Sequence, residues 1–211
     1  MADYSDIHKI AADLGLRNIK IRKDFEGDTV VDVQGDVDIS HKNLDSIPIK
    51  FGRIFGQFNC NYNNLTSLEN APSIVDFGFS CSFNNLTDLQ GGPGLVPDGD
   101  YYANFNKLKS IMGYPSNVRQ TDTLLDVSNN EIETIDYFEE CNMVIAAPHN
   151  LLWKYLINHN YSLQSVVKFI NLHEDILSQA LKEAPDQIKK GLKHILKVNN
   201  LPLNLTALDK I

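Results

Sequence analysis

The stretch Phe58-Asn59-Cys60-Asn61-Tyr62-Asn63-Asn64-Leu65-Thr66-Ser67-Leu68 decides the reading of this chain, because it returns. Phe79-Ser80-Cys81-Ser82-Phe83-Asn84-Asn85-Leu86-Thr87-Asp88-Leu89 repeats it, and Tyr101-Tyr102-Ala103-Asn104-Phe105-Asn106-Lys107-Leu108-Lys109-Ser110-Ile111 repeats it again. Leu125 to Ile135 is a further copy, with Val127, Asn130 and Ile132 in the equivalent places. Val37 to Ile47 is an earlier one, with Ile39 and Leu44 matching but Lys42 where asparagine is expected. The shared pattern is apolar-x-apolar-x-x-Asn-x-apolar-x-x-apolar. Its third apolar position falls at Leu44, Leu65, Leu86, Leu108 and Ile132, in steps of 21, 21, 22 and 24 residues. Self-similarity at such a period is the signature of a solenoid.

Each part of the unit has a physical reason. An apolar-x-apolar pair is a short strand with one face inward, because side chains alternate along a strand. The two later apolar residues turn back and fill the same interior. Asn63, Asn84, Asn106 and Asn130 sit where the chain bends. An amide both donates and accepts, so a stacked asparagine ladder can satisfy turn backbone groups that water does not reach. Pro48, Pro72, Pro93 and Pro115 follow the last apolar position, favour an extended return segment and exclude a full helix there. One unit cannot hide its apolar face, so stacking is compulsory. Met143-Val144-Ile145 supplies a sixth strand before the pattern ends at Pro148.

The repeat resembles the leucine-rich repeat family. Units ending as Leu65-Thr66-Ser67-Leu68-Glu69-Asn70-Ala71-Pro72 look like its compact bacterial and bacteriophage variety, and Phe58 to Leu68 is similar to repeats in proteins of tailed bacteriophages. The likeness covers about residues 32–150. It implies an α/β solenoid with a short parallel sheet. It also implies a virus-encoded factor that acts inside an infected bacterium, for example by blocking a host defence component.

The ends read as caps, which a repeat array needs to close its terminal core. Residues 1–31 form an N-terminal cap. Ser5 is placed to cap a helix over Asp6 to Leu14, with Ile7, Ile10, Ala11 and Leu14 on one face and Gly15 ending it. Asn18 to Arg22 and Thr29 to Val33 read as strands around an Asp/Glu/Gly turn. Residues 151–211 read as a C-terminal helical segment, from the short Leu151 to His159 through a longer helix capped by Ser162 to a third opened by Pro185.

The chain has 211 residues, 43% of them hydrophobic, and a formal net charge of −8. Residues 1–150 carry 11 Lys/Arg against 22 Asp/Glu, a balance of −11, and residues 151–211 carry 8 against 5, a balance of +3. The acidity of the repeats argues against a general nucleic-acid or anionic-membrane binder. No apolar run approaches the roughly 18–20 residues that span a bilayer. Met1 to Asp6 lacks the basic and apolar regions of a secretion signal, so a cytoplasmic protein is expected, in the host cytoplasm if the chain is viral. The sequons at Asn64, Asn85, Asn160 and Asn204 then count as coincidence, two of them built by the repeat itself.

Catalytic signals are weak. Cys60 and Cys81 hold inward positions on adjacent strands without a local His or Cys companion and read as small buried hydrophobes. A cysteine of the kind used by bacterial leucine-rich-repeat ubiquitin ligases needs a Cys-x-Asp motif, whereas Cys141 is followed by Asn142 and Met143. None of His8, His41, His149, His159, His173 and His194 has ligand spacing. Gly91-Gly92-Pro93-Gly94 lacks the Gly-Lys-Ser/Thr ending of a phosphate loop and belongs to a return segment. No enzyme, metal or cofactor is expected.

The informative surface is the outer side of the strands. His41, Tyr62, Phe83 and Phe105 each directly precede the turn asparagine position, and Asp38, Asn59, Ser80, Tyr102 and Asp126 are the outward strand residues. Parallel strands about 4.8 Å apart turn the first set into an aromatic column beside polar rows. Such a column shields its own rings, but exposed aromatics with a polar rim also characterise recognition surfaces. The expected partner is a protein, bound through His41, Asn59, Tyr62, Phe83, Tyr102 and Phe105. The alternative surface is the stripe Lys189, Lys190, Lys193 and Lys197, which reads either as the solvated back of an amphipathic helix or as a contact for nucleic acid.

Overall fold

Alternating inward positions two apart, repeated every coil, produce two parallel walls around one core. A computed structural model describes residues 4–115, 123–132, 137, 141 and 144–146, the last three by their backbone. The elements run α1 (Tyr4–Leu14), β1 (Ile19–Lys23), β2 (Thr29–Val33), β3 (Val37–Asp38), β4 (Phe51–Ile54), β5 (Gln57–Asn59), β6 (Ile74–Val75), β7 (Gly78–Ser80), β8 (Tyr101–Tyr102), β9 (Leu124–Asp126) and β10 (Val144–Ala146). The repeat strands form a six-stranded sheet in the order β10-β9-β8-β7-β5-β3 with every pair parallel. Its register places Phe58 beside Val37 and Phe79, and Tyr101 beside Phe79 and Leu125, so equivalent residues of successive coils lie side by side.

The expected solenoid with a parallel sheet and an N-terminal helix is present, and its return segments form a second sheet. The described return segments hold strands, and the described residues form a parallel-sheet β-solenoid with one short N-terminal helix. Extended return segments are as the prolines require, but stacked extended segments then pair with one another. A second wall results, a four-stranded sheet in the order β1-β2-β4-β6, continued by a parallel bridge from Ile74 to Leu95. The hairpin β1–β2 is antiparallel and feeds this wall through the parallel pair β2–β4. The helix begins by Tyr4, so Ser5 lies in its first turn and does not precede it. It ends as expected at Gly15, whose φ is 78°. The Gly15 amide bonds the Ala12 carbonyl at 2.9 Å and the Leu16 amide bonds Ala11 at 2.8 Å, the double bond that closes a helix on a left-handed residue. The three C-terminal helices expected over residues 151–211 lie outside the described residues.

The core runs between the walls. Phe58, Cys60, Leu65 and Leu68 are buried, as are Phe79, Cys81, Leu86 and Leu89 in the next coil and Tyr101, Ala103, Leu108 and Ile111 in the one after. Ile7 and Leu14 of α1 join the same cluster and close its N-terminal end. Phe51, Phe58, Phe79 and Tyr101 form an aromatic spine with successive centroids 5.2, 5.5 and 4.8 Å apart. Close coil contact also demands glycine at one corner. At Gly113 φ is 90° and a β-carbon would stand 2.4 Å from the Gln90 backbone nitrogen, so no side chain fits.

Candidate functional site

The outer face of the six-stranded wall is positioned by its turns. Asn84 sits at a buried corner and donates through Nδ2 to the carbonyls of Cys60, Cys81 and Ser82 at 3.0–3.3 Å, while its Oδ1 accepts the Leu65 amide at 3.0 Å. Asn106 and Asn130 repeat this arrangement one and two coils on. Asn63 serves the first coil, where Lys42 replaces the ladder residue, by accepting the amides of both Lys42 and Leu44 at 3.0 Å. Each asparagine therefore ties its own turn to the coil before it, and the residue just ahead of it is held in one orientation.

That residue is the aromatic one. His41, Tyr62, Phe83 and Phe105 stack with centroids 4.4, 4.3 and 4.4 Å apart and ring planes within 8–11° of parallel. All four are solvent-exposed, with Tyr62 and Phe105 each at 46%. The backbone explains the alignment in a way that spacing does not reveal. All four residues have positive φ, between 53° and 57°, and Asn129 holds the same position in the next coil at 53°. The expected column exists, and its rings project from a left-handed turn.

The neighbouring rows are polar and acceptor-rich. Asn59 is half-buried, and its Oδ1 accepts the Asn61 amide at 3.0 Å. Asn61 Oδ1 accepts the Ser82 amide and the Ser80 hydroxyl. The Ser40 hydroxyl and amide hold the Asp38 carboxyl below its ordinary pKa. Tyr102 donates its hydroxyl to Asp100 Oδ2 at 2.9 Å, and that carboxylate neighbour pushes the phenol's pKa up. The structure thus brings all six expected contact residues into two rows, His41, Tyr62, Phe83 and Phe105 in the column and Asn59 and Tyr102 on the outward strand row with Ser80 between them.

One ring escaped the sequence reading. Phe77, the most exposed ring of this region at 56%, and Tyr102, at 37%, flank a shallow depression of about 300 Å³. Gln57, Asn59, Asn61, Ser80 and Asp100 supply its polar lining. Phe77 falls outside the repeat pattern, directly before Gly78, and its only signal is an aromatic residue at a coil corner. Asp36, Asp38, Asp100 and Asp126 lie along this wall, and among the described residues none of them has a basic side chain within ion-pair distance. No lysine or arginine occupies an outward strand position here.

The remaining candidates are structural. Cys60 and Cys81 are fully buried, and burial pushes both thiols well above their ordinary range, away from the reactive thiolate. Cys141 packs against the edge of the core. Among the described residues one trio of carboxylates, Asp24, Glu26 and Asp28, is close enough to share a cation. Lys50 Nζ already fills that role at 2.9, 3.7 and 2.7 Å. No helix among the described residues is long and apolar enough to cross a membrane. Lys189, Lys190, Lys193 and Lys197 lie outside the described residues. Comparison of the chain with protein-family models, with curated proteins and with solved structures found no match.

Proposed function

We propose that this chain is a non-enzymatic binding module of the leucine-rich-repeat type that grips another protein with the outer face of its six-stranded wall. The observation that carries this reading is the stacked column on left-handed turns. A left-handed backbone costs an ordinary L-residue roughly 1–2 kcal/mol, so four such residues cost roughly 4–8 kcal/mol. Three stacked ring pairs contribute about 1.5–4.5 kcal/mol. Asparagine adopts the same backbone more cheaply, and Asn129 does so in the next coil. The rings are therefore an uneconomical stability device, and a surface use accounts for them better. Ring rows beside a polar rim suit a protein surface. Carboxylates with no basic partner among the described residues disfavour nucleic acid on this face.

The likeness of the repeats to those of tailed bacteriophages extends the reading to a virus-encoded factor that binds and inhibits a protein in the host cytoplasm. To test the binding face, Tyr62→Asn, Phe83→Asn, Tyr102→Ser and Phe105→Asn are combined, asparagine being chosen because it tolerates the left-handed turn. The wild type is used to capture a partner from bacterial lysate, and the partner is identified by mass spectrometry. The combined variant, shown folded by its amide NMR spectrum, is expected to bind that partner about 100-fold more weakly. Unchanged affinity in the folded variant would exclude this face.

A further inference from the structure

The two walls treat the same set of groups differently. On the four-stranded side Arg53 donates to Asp76 through Nε at 3.1 Å and through an Nη at 3.0 Å, and its guanidinium lies 4.6 Å over the Phe55 ring. Aromatic ring, carboxylate and arginine together make a completed unit. On the six-stranded side the ring and the carboxylate recur without an arginine among the described residues. Phe77, Tyr102 and Asp100 all line the depression, and Gly78 leaves a gap in the row between Gln57 and Asp100. Asp100 accepts the Tyr102 hydroxyl at 2.9 Å and the Leu124 amide at 2.8 Å. A carboxylate offers roughly four acceptor positions, so about half of its capacity is open.

We infer that the partner of this face inserts an arginine side chain into the depression that Phe77 and Tyr102 line, its guanidinium against Asp100. This rests on the reading of the six-stranded wall as the binding surface. Arginine fits better than lysine, because a planar guanidinium lies flat on a ring while forming paired bonds to a carboxylate. Asp36, Asp38 and Asp126 give the rest of the face the same sign, so a basic partner segment is favoured over a neutral one. The depression takes one side chain and is too shallow to enclose a metabolite.

The probe is an acetylated, amidated pentapeptide, Gly-Ser-Arg-Ser-Gly, beside the same peptide with citrulline, the neutral isostere of arginine. Each is titrated into the full chain at low salt, followed through the Asn59 and Asn61 side-chain amides and the Phe77 and Tyr102 ring signals. The arginine peptide is expected to shift those signals, and citrulline to weaken binding about tenfold, as loss of one charged contact does. Asp100→Asn and Phe77→Ser, both surface changes that leave the column intact, are each expected to weaken it similarly. Equal binding of the two peptides, or shifts that survive Asp100→Asn, would overturn the inference. The captured partner separates this result from the broader reading. If the combined aromatic variant loses the partner while Asp100→Asn and Phe77→Ser keep it at full affinity, the face binds and the arginine site does not exist.

Discussion

The two walls of this solenoid are built from the same chain, coil by coil, yet their surface chemistry is opposite. On the four-stranded wall Asp24, Asp28, Asp32 and Asp76 each meet a cation. Arg22 holds Asp32 at 2.6 Å, Arg53 holds Asp76 at 3.0 Å, and Lys50 bridges Asp24 and Asp28. On the six-stranded wall Asp36, Asp38, Asp100 and Asp126 have no such partner among the described residues, and the exposed rings are gathered beside them. Surface ion pairs contribute little to stability, with a median of about 0–1 kcal/mol, so pairing is a matter of what the wall presents more than of how firmly it holds. A wall that satisfies its own charges has little left to offer a partner. One that keeps acceptors and rings open can exchange them for contacts with something else.

The largest effect is expected where the six-stranded wall is anchored. Asn84→Ala removes three donated bonds and one accepted bond at a buried corner, leaving the Leu65 amide without its acceptor, while the Cys60 and Cys81 carbonyls keep only the Asn63 and Asn106 amides. A loss of about 3 kcal/mol is expected in urea unfolding, since one unsatisfied buried group alone costs about 1–3 kcal/mol. A loss below about 0.5 kcal/mol would show that the ladder is not what holds this wall.

An intermediate effect is expected on the paired wall. Burial alone would raise the Asp32 pKa, but hydrogen bonds from Arg22 and the Arg53 amide outweigh it, and the folded value is depressed. A group with a depressed folded pKa contributes stability above its unfolded value, near 3.9, and that contribution fades as pH falls through the folded value. Asp32→Asn should therefore cost about 1.5 kcal/mol at pH 7 and progressively less below about pH 4. The check is the difference in urea midpoint between variant and wild type across that range; a pH-independent difference would contradict the pairing.

The smallest effect sharpens the contrast. Gln57 is exposed on the six-stranded wall, and Gln57→Lys would place a cation among unpaired carboxylates. A gain of a few tenths of a kcal/mol is expected at low salt, vanishing at high salt as screening removes it. A loss of stability at low salt would mean that the face is not the negative surface its residues describe.

Much of the fold was legible in the sequence because burial leaves a period. The alternation through Phe58 and Cys60, the later pair Leu65 and Leu68, and their return one coil on describe inward positions, and all four are buried. The asparagine ladder was legible for the same reason, since a buried turn needs a side chain that donates and accepts. The second wall was not. Its strands Phe51–Ile54 and Ile74–Val75 are short and dissimilar, and they become strands only because stacking sets one return segment beside the next. The left-handed backbone at Tyr62, Phe83 and Phe105 was hidden too, because aromatic residues do not advertise positive φ.

By itself the sequence determined the coil length, the inward residues and the outward column, since each follows from local alternation repeated at a fixed interval. Only the tertiary structure decided which charges pair and which rings frame a depression. Arg53 and Asp76 are 23 residues apart, and Phe77 and Tyr102 come from successive coils to line one depression. Distance along the chain says nothing of such meetings. They depend on the register with which one coil settles on the next, and that is a property of the packed array.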